Sequence, residues 1–368
     1  MKCNQSYSIN ISSENMGRER TMDNSLWKDK ISNPAQLGGI ELSTLDNGHG
    51  HGCRIAWVNT GSGLRFKVVP DRGMDIADAF FNQHSLAWIS HLGVTAPNPC
   101  TSAGINWLNS FGGGLLTTCG LTHIGPPEKD ENGERGLHDR IGNIPASLMS
   151  ITQPDLRSDC PVMSITGKIV QSVAVVGPHL ELKRTISAKL GSSGFKITDE
   201  VTNLGNTPAP HMLLYHFNFG WPLVDEGTDI IWKGKWQSRG GKDNDFIFNE
   251  SNFPNLKKCL SPVKEHFGPG ESVGFVELEA DAAGMCECGL HNTNLGLKVT
   301  MRFPKKQLPF LTNWQHFGKN EYVTGVEPGT HPPIGRAAAQ KNGTLIYIQP
   351  DETRTYEVEL ETSQILIH

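Results

Sequence analysis

Leu295, Leu297, Val299, Met301 and Phe303 alternate with Gly296, Lys298, Thr300 and Arg302. A period of two is what a strand with one buried and one wet face requires. The same alternation runs from Leu180 to Ile186, Phe195 to Val201 and Tyr356 to Glu361. Further strands are expected at Arg54 to Asn59, Leu64 to Val69, Ser85 to Ser90, Val162 to Val176, His211 to Gly220, Phe310 to Phe317 and Thr344 to Gln349. Helical patterning is weak and confined to Ala35 to Leu45, Ser102 to Leu108 and Ile334 to Gln340. The 40 glycines and 22 prolines fall between the apolar runs, so many short strands are separated by turns. That combination predicts an all-β fold, a large antiparallel β-sandwich with few short helices. No repeat of about 20–50 residues points to a solenoid or propeller.

Residues 1–35 read as an N-terminal extension and 36–368 as one sandwich domain. The stretch from Asn98 to Pro145 is long, rich in Gly and Pro, and poor in pattern. Such a segment in a compact fold is usually functional, and it is expected to line a cleft. With 38 acidic and 33 basic residues the formal net charge is -5, which argues against a nucleic-acid partner. No apolar run approaches the roughly 20 residues of a membrane span. The polar segment Met1 to Lys30 lacks a signal core, so a cytoplasmic location is expected. The eight cysteines read as reduced thiols. Cys286-Glu287-Cys288 with His291 lacks both the spacing and the second pair of a zinc site, so no metal is expected. Gly112-Gly113-Gly114 lacks the Lys and hydroxyl of a phosphate loop, and no Gly-x-Ser-x-Gly elbow occurs.

Three separated phrases each hold a polar group in a stiff frame. They are Arg135 to Arg140 around His138, Leu214 to Gly220 around His216, and Thr324 to Gly329 around Glu327. Two imidazoles and a carboxylate can move protons at neutral pH. A lone histidine in the apolar run at His216 would read as a core residue. Asn218, two residues on, shares its face and makes the pair a polar patch. His138 alone reads as a surface turn histidine, and Glu327 alone as an exposed loop glutamate. The tight Gly and Pro frame of Glu327, next to the strand Tyr322-Val323-Thr324, argues for a fixed role. Arg72, in the hairpin Pro70 to Asp75, would ordinarily be solvated. Trp314 and Gln315 offer an aromatic platform and an amide; Asn109, His123, Trp107 and Trp221 are weaker candidates. His211 and His216 are five apart, so they point to opposite faces and do not share a metal ion.

The order His138, then Tyr215-His216-Phe217-Asn218-Phe219, then Gly325-Val326-Glu327-Pro328, laid on an all-β pattern, resembles the galactose mutarotase-like (aldose 1-epimerase) superfamily. Val201 to Pro208, and Gly136-Leu137-His138-Asp139-Arg140 with Pro145 beyond, are similar to phrases of that family. Asp139 stands where the family more often has glycine. The resemblance spans about residues 40 to 365 and points to a divergent bacterial branch. It implies an open cleft on one sheet and the interconversion of sugar anomers by ring opening. Glu327 would be the general base at the anomeric hydroxyl and His216 the general acid at the ring oxygen. His138 would bind and polarise the substrate, and Arg72 would contact sugar hydroxyls. Asn218, Trp314, Gln315, Asn109 and His123 would complete the binding site. The chemistry needs no cofactor and no metal. The partner would be a small-molecule sugar, not nucleic acid or membrane, held by a monomer or homodimer. Two other readings stay open: an epimerase or isomerase for an unusual or oxidised sugar, and a non-catalytic carbohydrate-binding protein. Asp139 and the segment around Cys119 lean away from plain galactose. A phosphosugar would call for clustered cations, with Arg135, Arg140 and Arg336 as candidates.

Overall fold

The period-two segments pair antiparallel throughout. In the computed structural model, residues 29–130, 133–240, 245–252 and 255–365 are described. The first 28 residues of the expected extension lie outside them. Leu180–Lys189 sits between Val162–Gln171 and Gly194–Asn203, and the last of these pairs with Thr353–Gln364. They belong to an eight-stranded sheet. Its alternate residues, such as Leu182, Ile197, Val201 and Val358, are buried. A twelve-stranded sheet faces it. One half of that sheet runs Leu116–Leu121, Ala209–Gly220, Glu321–Gly329, Phe310–Gly318, Ser272–Leu278 and, at its edge, Gly234–Ser238.

One apolar core fills the space between the sheets. Phe66 of the larger sheet meets Phe195 of the smaller, with ring centroids 4.6 Å apart. Tyr215, Phe217 and Phe219 enter the same core, so the odd positions of the Ala209–Gly220 strand face inward. Its even positions, including His216, are left for the outer face. One charged network interrupts the core. Arg184 of the smaller sheet is fully buried and bonds Asp199 through Nε (2.9 Å) and Nη2 (2.7 Å). Its Nη1 donates to Thr118 Oγ1 of the larger sheet at 2.7 Å. Tyr215 completes the bridge by donating to Asp199 Oδ2 at 2.7 Å. The strands that carry Tyr215 and Thr118 are therefore tied to the opposite sheet directly beneath the outer face.

Several local expectations change. Ala35 to Leu45 is not a helix: Pro34–Gln36 form one 3-10 turn capped by Asn33, and Gly39–Thr44 is a strand paired with Arg54–Asn59. Gly38 and Gly39 break the helical pattern, and Gly39 has φ +145, outside helical space. Ser102 to Leu108 holds parts of two 3-10 turns, Pro99–Ser102 and Asn106–Ser110. Ser85 to Ser90 is a strand only at His84–Ser85; beyond it, Ala87 and Ile89 make isolated bridges to Phe219 and Gly113. The strand beginning at Val162 stops at Gln171, before an exposed turn with Val175 and Val176 at its tip. Ile334 to Gln340 does contain a helix, Arg336–Lys341. The Asn98 to Pro145 stretch includes the Leu116–Leu121 strand and a small hairpin, Glu128–Asp130 with Gly133–Arg135.

Removing one partner of the buried ion pair leaves a charge uncompensated in the core. Asp199→Ala should lower stability by about 3–5 kcal/mol, measured by urea unfolding. Replacing both together, Arg184→Met with Asp199→Leu, should not restore stability, because Arg184 also pairs with the buried Asp75 at 3.4 Å and the Tyr215 hydroxyl would lose its acceptor.

Candidate active site

Cross-strand register puts the central pair together. Leu214 pairs with Gly329 and Asn218 with Gly325, which sets His216 across from Glu327. His216 Nε2 lies 3.4 Å from Glu327 Oε1. One strand further, Thr312 pairs with Glu327, and Phe275 pairs with Thr312. A straight row Phe275, Thr312, Glu327, His216 thus crosses the face of the larger sheet. Above it opens a cavity of about 470 Å³ lined by His138, His216, Glu327, Thr312 and Trp314, among others. That volume falls within the roughly 300–1,000 Å³ usual for small-molecule sites.

His138 arrives from the Asn98 to Pro145 stretch. His138 and Asp139 both adopt positive φ, 56° and 61°. Two successive left-handed non-glycine residues cost on the order of 1–3 kcal/mol each and persist only where the surroundings enforce them. Here the backbone is held from both sides: His138 N–H donates to Gly125 O (3.1 Å) and His138 O accepts from Gly120 N–H (3.0 Å). Gly125 N–H donates to His138 Nδ1 at 3.3 Å, which leaves Nε2 as the protonated nitrogen of the neutral ring. The rings of His138 and His216 lie 5.9 Å apart and perpendicular. Trp107 and Phe111, stacked at 4.3 Å, close the wall beside both histidines.

Buried polar atoms normally find partners. Here His216 Nδ1 and Glu327 Oε1 have no hydrogen-bond partner among the described residues. Burial raises the Glu327 carboxyl well above the ordinary glutamate range; the Glu271 charge adds to this and Arg239 opposes it. Burial also lowers His216 to about 4 and His138 well below its ordinary value. At neutral pH both rings are neutral. Glu327 holds its proton to a higher pH than an exposed carboxyl does. The site therefore suits proton transfer to and from a ligand better than binding of a fixed charge.

The other sequence candidates divide. Trp314 lines the cavity, 5.5 Å from the His216 ring, and its Nε1 donates to Glu271 Oε2 at 2.8 Å. Asn218 supports His216 from below, donating to Gly114 O and to the His216 carbonyl. Gln315 points to the other face of its strand and donates to Leu256 O and Asn313 Oδ1. Arg72 turns away from the cavity. Its Nε donates to Gly142 O (2.6 Å), its Nη2 to Ser110 O (2.9 Å) and its Nη1 to Thr95, so it pins the long stretch to the Pro70 to Asp75 hairpin. Asn109 is exposed on a 3-10 turn outside the cavity lining. His123 is fully buried behind the wall, bonded to Pro126 O and Arg336 N–H. Asp139 does not line the cavity; its carboxylate accepts from Thr122 and Gln171. Cys119 lies within a strand and packs with Trp107 and Leu214 in a small apolar cluster. Cys286 and Cys288 are buried in the core. Among the described residues no group of three His, Cys, Asp or Glu is placed to hold a metal ion.

Sequence reading did not single out Arg239, Glu271, Thr312 or Phe275, which line the cavity; Phe111, which also does, comes from the Asn98 to Pro145 stretch expected to line a cleft. For Thr312 a signal existed: it shares a strand face with Trp314. Arg239 and Glu271 form an ion pair at 2.6 Å; they flank the strands Gly234–Ser238 and Ser272–Leu278, and only the pairing of those strands brings them together. Arg135 instead bonds Glu128 and Asp130, and Arg140 donates to Ser172 O.

The neutral histidines make stability sensitive to acid. The unfolded chain takes up protons below about 6.5, while the folded His216 resists until about 4. Stability is therefore lost as pH falls through that window. The gap is worth roughly 3 kcal/mol at about 1.4 kcal/mol per pH unit. His216→Gln should unfold with a shallower pH dependence between 6.5 and 4 in urea titrations. Equal acid sensitivity of both proteins would contradict the burial account. The raised Glu327 carboxyl works in the opposite direction, with stability lost as pH rises through its folded value. Glu327→Gln should thus be at least as stable as wild type at pH 8.

Comparison with known proteins agrees with this architecture. The structure matches a "putative aldose 1-epimerase" from Klebsiella pneumoniae with a TM-score of 0.81 and 23% identity, covering 92% of this chain and 90% of that one. It matches a galactose mutarotase-like protein from Clostridium acetobutylicum with a TM-score of 0.58 and 14% identity, over 90% and 100% of the two chains. A similar protein from Lactobacillus casei gives 0.56 and 12%, over 84% and 100%. The fold is that of the galactose mutarotase-like proteins. No curated protein matches the chain. Residues 50–362 match a family model described as a domain of unknown function, DUF4432, and the chain belongs to that family.

Proposed function

We propose that this protein interconverts the anomers of a neutral reducing sugar by acid–base ring opening. The observation that carries this reading is the pair His216 and Glu327. They face each other at 3.4 Å across two strands, buried, with unpartnered polar atoms at the floor of a ligand-sized cavity. The fold shared with mutarotase-like proteins adds support, although a fold alone does not fix a chemistry.

In the ring-opening step Glu327, as carboxylate, takes the proton of the anomeric hydroxyl. The protonated His216 gives its proton to the ring oxygen, and the bond between C1 and that oxygen breaks. The aldehyde rotates and the ring closes on its other face. Glu327 then returns its proton to the carbonyl oxygen as His216 takes one from the attacking hydroxyl. The pair carries one proton before and after. Burial favours that proton on Glu327. Hydrogen bonds from sugar hydroxyls to the carboxylate would shift it toward His216, because bonds to the charged form stabilise that form. The Nε2–H of His138 would polarise a substrate oxygen. A neutral sugar is favoured because Arg239 is the lone cation among the described residues lining the cavity, and Glu271 already neutralises it. Among the described residues a phosphate would find no unpaired cation there.

Proton NMR of freshly dissolved α-anomers tests the proposal. A sugar accepted by the enzyme should equilibrate faster with wild type. Glu327→Gln and His216→Asn, if folded, should each lose about 10²–10⁴-fold of that acceleration. Because the active pair holds one proton, kcat/KM should fall as pH rises through the raised Glu327 value, and that alkaline limb should vanish with Glu327→Gln. Acceleration that survives both substitutions would rule out the assigned pair.

A further inference from the structure

Two of the orphaned polar atoms beside the cavity belong to one strand face. His216 Nδ1 and Asn218 Oδ1 are both buried, and neither has a partner among the described residues. They sit two residues apart on Ala209–Gly220, so their side chains share a face. The Asn218 amide has one sensible orientation. Its Nδ2 donates to Gly114 O at 3.1 Å and to His216 O at 2.9 Å. A flipped amide would set its oxygen against two carbonyl oxygens, which only accept. Gly114 is itself fixed: it has φ +86, its N–H donates to Trp88 O at 2.7 Å, and a Cβ there would lie 2.7 Å from Ile76 O. The Gly112-Gly113-Gly114 run, which is no phosphate loop, thus supplies the carbonyl that holds Asn218.

Both amide hydrogens of Asn218 are used, and the remaining oxygen can only accept. His216 Nδ1 can donate or accept according to where the ring carries its proton. A proton on Nδ1 satisfies both orphans with one bond. A lone pair there satisfies neither and sets two acceptors together. Burial is what most opposes charge on this ring, and the influences that favour charge are hydrogen bonds with the Asn218 side chain and with the residue's own carbonyl. That carbonyl also accepts, and Nδ1 is the ring nitrogen nearer the main chain. We propose that Asn218 is a positioning residue: its Oδ1 accepts from His216 Nδ1–H and locks the neutral ring in that tautomer, with the Nε2 lone pair toward Glu327. His138 is locked the other way, because Gly125 N–H donates to its Nδ1 at 3.3 Å and leaves the proton on Nε2. The two rings, perpendicular and 5.9 Å apart, therefore carry opposite tautomers, one a donor and one an acceptor at Nε2. His216 Nε2 stands 3.4 Å from Glu327 Oε1, so it is the atom that takes the proton shared by the pair. The inference rests on the proposed ring opening only for this consequence, that His216 gains and returns its proton through Nε2 alone.

Nitrogen NMR of the isotope-labelled full-length protein at neutral pH reads the tautomers without turnover. The two rings are assigned by their loss in His216→Gln and His138→Gln. His216 should carry a proton on Nδ1 and none on Nε2, and His138 the reverse. Asn218→Leu, of similar size but without the acceptor, should populate the Nε2–H form of His216. With a sugar that wild type accepts, Asn218→Leu should lower kcat by about 10²-fold or more with KM little changed, since a wrong histidine tautomer in a Ser-His-Asp triad costs about 10⁴-fold. The inference is overturned if wild-type His216 carries its proton on Nε2, shows a mixture of tautomers or is protonated on both nitrogens. It is equally overturned if folded Asn218→Leu keeps Nδ1–H alone or matches the wild-type kcat. Should Asn218→Leu not fold, the wild-type spectrum decides by itself. If the tautomers are as stated but no sugar's anomers interconvert faster, the role of Asn218 in setting the ring stands and the proposed activity fails.

Discussion

The register between Ala209–Gly220 and Glu321–Gly329 is the constraint on which the site depends. Leu214 opposite Gly329 and Asn218 opposite Gly325 force His216 against Glu327. A slip of one residue would turn His216 into the core and bring Tyr215 or Phe217 to the cavity. The slip is opposed from inside. Tyr215, Phe217 and Phe219 are buried in the core, and the Tyr215 hydroxyl is tied to Asp199, which in turn holds Arg184. The charged bridge below and the His216–Glu327 contact above are thus two faces of one strand. Packing on the inner face sets the chemistry on the outer one.

Desolvation gives that geometry its chemical meaning. Exposed to water, a histidine and a glutamate in contact would form an ordinary ion pair. At the cavity floor, burial works against both charges, raising the carboxyl and lowering the ring. Burial thus places the pair's one proton on Glu327, and a ligand whose hydrogen bonds stabilise the carboxylate would move it toward His216. The long stretch from Asn98 to Pro145 maintains this by supplying His138, Trp107 and Phe111 as a wall. Arg72 anchors that wall to the sheet through Ser110 O and Gly142 O. The strained backbone at His138 and Asp139 is held by the same wall.

Much of this was legible in the sequence, for identifiable reasons. Strands with one wet face, such as Leu180–Lys189 and Leu297–Pro304, announce themselves by alternation, and their bounds were close. His216 and Glu327 were visible because polar residues in an apolar strand and in a Gly-Pro frame conflict with local expectation. Ala35 to Leu45 reads ambiguously because a short apolar run does not distinguish helix from strand, and Gly38 and Gly39 are what end the helical turn there. Arg72 misled because a hairpin arginine can face solvent, ligand or backbone, and only tertiary contacts choose among them. Phe275, Thr312, Arg239 and Glu271 were not singled out because cavity lining is a property of cross-strand neighbours. Those partners are set by sheet order, which alternation does not encode.

The most direct test of the central claim is an NMR titration of the His216 ring in the full-length protein, assigned by comparison with His216→Gln. A desolvated ring opposite a raised carboxyl should remain neutral on lowering the pH until about 4. In Glu327→Gln it should still be neutral at pH 6, because burial rather than a neighbouring charge sets its value. A ring that instead protonates near 6.5, as an exposed histidine does, would show that the cavity does not desolvate the pair and would contradict the account.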